Sequence, residues 1–261
     1  MNTKAESRNP PVTVAHDLAL ADLRHALADG WRDFRACPQY GLFFAAIYVL
    51  AGLGLYHALF TLGEAAWLIP AAAGFPLLAP FVAVGLYEVS RRREAGLPMG
   101  WRTVLGALRG RGDEQLLSMG VIVFVAFGFW LMIAHGIFAV FLAESGIGTE
   151  SLELFRTQAG IMMLVVGSAV GGLIALAFYA ITVISLPMLV DRDVDFITAI
   201  ITSLATVRAN MGVMLAWAAV IAILLFVAML PLFLGLLVVG LLVVLPVLGH
   251  ATWHLYRRAA G

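Results

Sequence analysis

The side chains of this sequence that could do chemistry are few and scattered: six histidines, one cysteine, and carboxylates that lie mostly outside its apolar stretches. His57 and His135 each fall inside a long apolar stretch, at similar depth when counted from Gly41 and Gly120. Two imidazoles at one level could ligate a metal or a haem iron from opposite sides, so they are the candidate cofactor-binding pair. The competing reading is that each hydrogen-bonds to a neighbouring helix. His250 and His254, four apart, share one helix face. No third His or Cys is near them in sequence, and Arg257 and Arg258 would repel a cation, so polar tips at headgroup level are expected instead of a metal site. Cys37, the one cysteine, can form no internal disulfide. The chain has no GxxxxGK[ST], HExxH or GxSxG pattern, no GxGxxG after a strand and no pair of aspartates inside an apolar stretch, so no catalytic residue is assigned and no cofactor is favoured.

The elements that must hold these groups are set by composition. Of the chain, 62% is hydrophobic and 12% charged, with a mean hydropathy of +0.97, well beyond what soluble domains carry. The 16 basic and 16 acidic residues cancel, which excludes a global field that draws nucleic acid. A helix needs about 20 apolar residues to cross a bilayer. Six stretches reach that length: Gly41 to Leu62, Ala65 to Val89, Leu116 to Ala143, about Ile161 to Val190, Gly212 to Leu230 and Leu232 to Tyr256. Glu64 and Glu88 stand near the ends of such stretches, where a carboxylate is expected to reach headgroup water. Met211 to Leu255 carries no charge and is broken only at Pro231, so it must fold back as two spans.

Orientation follows from the basic residues. With the N-terminus in the cytoplasm, every one of the 16 Lys and Arg except Arg156 falls on the cytoplasmic side. That predicts a bacterial inner-membrane protein with both termini cytoplasmic. The first 40 residues lack an apolar h-region, so no cleavable signal peptide is expected. Arg91, Arg92, Arg93, Arg102, Arg109 and Arg111 form the densest basic cluster, suited to anionic lipid headgroups or to fixing topology.

The cytoplasmic segments are patterned too. Leu20, Leu23, Leu27, Trp31 and Phe34 recur at helical spacing, as do Trp101, Val104, Leu105 and Leu108, and then Phe196, Ile197, Ile200, Ile201, Leu204 and Val207. Asp193 or Asp195 is placed to cap the last of these helices. The expected architecture is therefore all-α: three hairpins of transmembrane helices, each preceded by an interfacial amphipathic helix. Its units are 16–92, 96–192 and 193–258, after a disordered tail at 1–15. Gly30-Trp31-Arg32 and Gly100-Trp101-Arg102 open the first two alike, and Pro80 and Pro246 stand at matching distances before an aromatic residue and an arginine pair. Pro70, Pro76 and Pro80, with Gly74, are expected to bend the second span, the best hint of transport. Gly167, Gly171 and Gly172 make a small-residue packing stripe on the fourth.

The run from Ser185 through Val190-Asp191-Arg192-Asp193-Val194-Asp195-Phe196 to Arg208-Ala209-Asn210 resembles an uncharacterised bacterial integral-membrane family, domain of unknown function 2189. Gly30 to Phe34 and Gly85 to Gly96, with Tyr87-Glu88 and the arginine triplet, are similar to it as well. Members are sometimes labelled cytochrome c oxidase subunit I. A catalytic oxidase subunit needs more helices and more intramembrane histidines than this chain has, so the resemblance implies at most association with a respiratory complex. The expectation is a non-enzymatic structural or accessory membrane protein, with the bilayer, a membrane-protein partner or a second copy as its contacts and no nucleic acid. The alternative is a small-solute transporter or channel that uses the bent second span.

Overall fold

Apolar side chains without a β-type alternation favour helices, and in lipid a helix satisfies its own backbone. The computed structural model describes residues 13–62, 71, 74–107, 115–145, 156–233 and 239–260. No strand occurs among them. The helices are α1 (Leu20–Ala36), α2 (Pro38–Thr61), α3 (Ala79–Val82), α4 (Val84–Glu94), α5 (Trp101–Gly106), α6 (Gln115–Ser145), α7 (Gln158–Thr182), α8 (Ser185–Asp191), α9 (Phe196–Ala209), α10 (Met211–Phe233) and α11 (Val239–Ala260), with a 3-10 turn at Phe75–Leu78.

Four stretches among the described residues are long and apolar enough to cross a membrane: Pro38–Leu59, Gln115–Phe141, Gln158–Asp191 and Met211–Met229. Only 6% to 28% of their most apolar windows is buried inside the protein. Phe124, Phe226 and Leu173 stand on the surface, more than half exposed. Outward apolar faces on this scale suit hydrocarbon, not water.

The other two expected spans differ in kind. Where one continuous helix was expected over 65–89, the described part is broken into the 3-10 turn, α3 and α4. Pro80 stands in the first turn of α3, where its missing N–H leaves no gap in the ladder. Pro76 lies in the 3-10 turn, and Pro70 and Glu64 lie outside the described residues. In the sixth, α11 is apolar up to Leu248 and then turns polar, with His250, Thr252, His254, Arg257 and Arg258.

A second break, at Val183 and Ile184, separates α7 from α8. Pro187 cannot donate to the carbonyl four residues earlier, which ends the ladder there. The Ser203 hydroxyl repairs the site from α9: it accepts from the Ile184 N–H at 3.2 Å and donates to the Ala180 carbonyl at 2.7 Å.

Side-chain ties gather the helix ends on one side of the molecule. Arg93 at the end of α4 reaches Asp33, just before α2 begins. Gln115, which starts α6, accepts from the Phe196 N–H, which starts α9. Tyr179, near the end of α7, donates to the Met214 carbonyl at the start of α10. Arg257 in α11 meets Asp191 at the end of α8, and the Ala15 N–H donates to the Ala259 carbonyl.

α1 makes its broadest contact with α11. It buries Leu23, Ala26, Gly30, Asp33 and Phe34, while Leu20 and Trp31 of the expected apolar face stay exposed. Gly30 explains the closeness: a Cβ there would lie 2.6 Å from the Ala251 nitrogen and 2.7 Å from the Val247 carbonyl oxygen. α9 is the reverse of a soluble amphipathic helix. It buries Ala199, Thr202, Ser203 and Thr206 and exposes Ile197, Ile201 and Leu204. Asp195 caps it, accepting from the Thr198 N–H at 2.9 Å. In α5 Val104 is buried, and the exposed Trp101 packs against the rings of Tyr40 and Phe43.

Candidate functional site: a buried polar centre

Asp33 is 6% exposed and would be costly in an apolar surround without partners. It has three. Its Oδ1 accepts from Arg93 Nε at 2.8 Å; its Oδ2 accepts from the Ser90 hydroxyl at 2.6 Å and meets His254 Nε2 at 2.8 Å. Ser90 and Arg93 come from α4, three residues apart on one face, and His254 from α11. Ser90 in turn stands 2.7 Å from His250 Nδ1, one turn before His254.

The geometry settles where the hydrogens go. The Ser90 hydrogen is committed to the carboxylate, so Ser90 accepts from His250 and Nδ1 of His250 carries the proton. Burial alone would push the Asp33 carboxyl up, but the hydrogen bonds from His254, Ser90 and Arg93 outweigh it and hold the group down to about 2. Arg93, held up chiefly by its hydrogen bond to Asp33, also brings its Nη1 within 3.9 Å of Cys37 Sγ, and the cysteine is buried.

Serine, histidine and aspartate are also the types of a hydrolytic triad, but the arrangement differs. In a triad the base takes the hydroxyl proton and the carboxylate holds the base. Here the hydroxyl lies between carboxylate and imidazole, and Ser90 and His250 are both 0% exposed, so no substrate reaches Oγ. The centre instead couples three helices. A second layer continues it: Glu94 accepts from Trp253 Nε1 at 3.0 Å and from Arg257 Nε at 3.1 Å, and Asp191 accepts from the Tyr256 hydroxyl at 2.8 Å.

Two expectations are corrected here. His250 is not a free polar tip but fully buried, and the partly buried His254 is bonded to Asp33, because α1 packs against α11 there. Glu88 does not reach headgroup water. It is 6% exposed and paired with Arg91 at 2.7 Å and Arg92 at 3.1 Å.

The remaining candidates are dispersed. His57 is exposed late in α2, and His135 is half-buried on α6. Among the described residues no group of three or more His, Cys, Asp or Glu is arranged to hold a metal ion. Of the arginine cluster, Arg91, Arg92 and Arg93 are engaged by Glu88 and Asp33, Arg102 is exposed on α5, and Arg109 and Arg111 lie outside the described residues. In the small-residue stripe Gly171 lies against Trp130, whose Cη2 would be 2.7 Å from an added Cβ. A Cβ on Gly167 or Gly172 would meet nothing. The Gly-Trp-Arg steps are not equivalent either: Gly30 is inside α1, whereas Gly100 is the N-cap of α5.

Sequence reasoning missed Asp33 and Ser90. The available signal was Ala26, Gly30 and Asp33 at helical spacing, two small residues and an acid on one face, which marks a close approach with a polar contact. No curated protein and no solved structure matches the chain. One family model does, over residues 68–191, a stretch that contains Ser90, Arg93 and Asp191. Across that stretch the chain matches the family described as predicted integral membrane protein (DUF2189).

Proposed function

We propose that the chain is a non-enzymatic, six-span protein of the bacterial inner membrane, built as three out-and-back hairpins with both ends in the cytoplasm, and that it serves as a structural or accessory component of a larger membrane complex. One observation carries the reading. The end of α4 is bonded to α1 just before α2, the start of α6 to the start of α9, the start of α10 to the end of α7, and the end of α11 to the end of α8, and these ties support hairpins that leave and return on the same side. The positive-inside rule puts that side in the cytoplasm. The exposed apolar faces of α5 and α9 beside it fit interfacial helices whose outward sides rest on the bilayer. A respiratory complex is the partner to look for first, and His57 and His135 remain the cofactor candidates, which an absorption spectrum of the purified protein tests.

The topology is tested by cysteine accessibility. In a Cys37→Ala background, Arg156→Cys is expected to react with a membrane-impermeant maleimide in intact spheroplasts, and Arg102→Cys only after the membrane is opened. Labelling of Arg102→Cys from outside would sink the hairpin order.

The transporter reading is favoured by a different observation, the break at 75–83 with Pro80 bordering a half-open cavity. Purification in mild detergent separates the two. A stoichiometric partner supports the accessory role, and solute uptake by the protein alone in proteoliposomes supports transport.

A further inference from the structure

A cavity of about 500 Å³ lies between α2, α3, α4, α7, α10 and α11, within the part of the bundle that the bilayer surrounds. Small residues make the room: Gly172 on α7, with Ala218 and Ala222 on α10. Among the described residues no charged side chain lines it, so an ion or a hydrophilic solute would lose its hydration there without replacement. Its volume and apolar walls are those of a site for a small organic molecule.

The polar side chains in the wall are Tyr48, Tyr87, Tyr179, Thr182 and Thr252, and they are unequal. Three have committed their hydrogens to backbone carbonyls: Thr182 to Phe178 at 2.7 Å, Thr252 to Leu248 at 2.8 Å, and Tyr179 to Met214 at 2.7 Å. Tyr87 has not. It lines the cavity, is 2% exposed, and its hydroxyl has no hydrogen-bond partner among the described residues. A phenol hydroxyl that faces an apolar cavity without an acceptor has an unused donor, and such groups usually find a partner.

Tyr87 also lies one turn before Ser90, so its hydroxyl is near the cytoplasmic end, while Leu77 and Leu225 are toward the other. The wall thus offers the Tyr87 hydroxyl at one end and leucine side chains at the other.

We infer that this cavity is a binding site for an uncharged long-chain lipid carrying a carbonyl oxygen, the oxygen accepting from Tyr87 and the chain lying along α7 and α10. The inference rests on bilayer insertion but not on the hairpin order, and the accessibility test reports on that order separately. The carbonyl chemistry is shared by the acyl esters of bulk lipid and by a free neutral lipid, so the test must distinguish a discrete site from the lipid annulus.

The full chain, reconstituted in nanodiscs, is irradiated with a diazirine-bearing methyl palmitate, and the labelled peptides are mapped by mass spectrometry, with methyl palmitate or hexadecane as competitor. The site predicts labels on α4, α7 and α10, displaced at least fivefold more effectively by methyl palmitate than by hexadecane. Tyr87→Phe is expected to abolish that preference while labelling persists. Ala218→Trp fills the cavity and is expected to reduce labelling at least fivefold, with Ala222→Phe as the milder filling variant should the first not fold. Labels spread over the outward face of α6 around Phe124 and Phe129, or equal displacement by both competitors in the unmodified protein, would overturn the assignment in favour of annular lipid.

Discussion

Asp33 is the residue on which the polar centre turns, because a buried carboxylate is stable only while its donors are in place. Asp33→Asn keeps the shape but strands the Arg93 guanidinium and replaces two acceptors with one. Removing one partner of a buried charge network costs about 3 kcal/mol, so the unfolding midpoint in detergent is expected to fall by roughly 10 °C. The acid limb gives an independent check. The group's ordinary value is 3.8 and the folded one about 2, so folding favours the ionised form. The resulting stabilisation is about 2 kcal/mol; it is fully present above pH 4 and disappears as pH falls from 4 to 2. The melting difference between the native protein and Asp33→Asn should therefore shrink across that window, and a difference that stays constant would show that the carboxylate is not the source. The arginines of the second layer offer a contrast. Arg257 is more than a third exposed, so water screens its pairs with the exposed Glu94 and the half-buried Asp191, and Arg257→Gln is expected to cost about 1 kcal/mol. Sequence alone named His250 and His254 as a face but could not name their partner. Asp33 is 221 residues from His254, and helical spacing carries no information across that distance.

At the scale of elements, periodicity located α1, α5 and α9 but did not orient them. Any apolar stripe predicts a face, and which face turns inward is decided by what arrives to cover it. In α9 the small and hydroxyl-bearing side turned inward, since Ser203 was needed at the break between α7 and α8, and the isoleucines were left outside. In α1 the inward side is the one that contains Gly30, because a glycine allows α11 to approach within backbone contact. Gly30→Ala would raise the helix propensity of α1 slightly, by about 1 kcal/mol, yet place a methyl group 2.6 Å from the Ala251 nitrogen. Neither backbone can yield without separating the helices, so a net loss of about 1–2 kcal/mol is expected, read as a lower melting temperature. Melting unchanged or raised would mean that the two helices are less closely apposed than described. The proline-rich second span was identified as a place for bends, but residue types could not say that the chain would divide there into a 3-10 turn and two short helices.

For the whole molecule, hydropathy and length anticipated an all-helical membrane protein, and four apolar helices of spanning length are present. The remaining two expected spans are less apolar as built, because each carries part of the buried polar network: Glu88 and Ser90 on α4, His250 and His254 on α11. Water-soluble proteins bury such groups under a hydrophobic shell, and here α1 supplies the cover at one end of the bundle.

That cover has a consequence for the order of synthesis. Asp33 emerges from the ribosome early, and His250 and His254 follow more than 200 residues later. Until then the carboxylate has only Ser90 and Arg93 to meet, and α1 lacks its broadest contact, the one with α11. The centre can therefore close only once α11 has been made. A chain arrested before His250 would leave the Gly30 and Asp33 side of α1 without the helix that covers it.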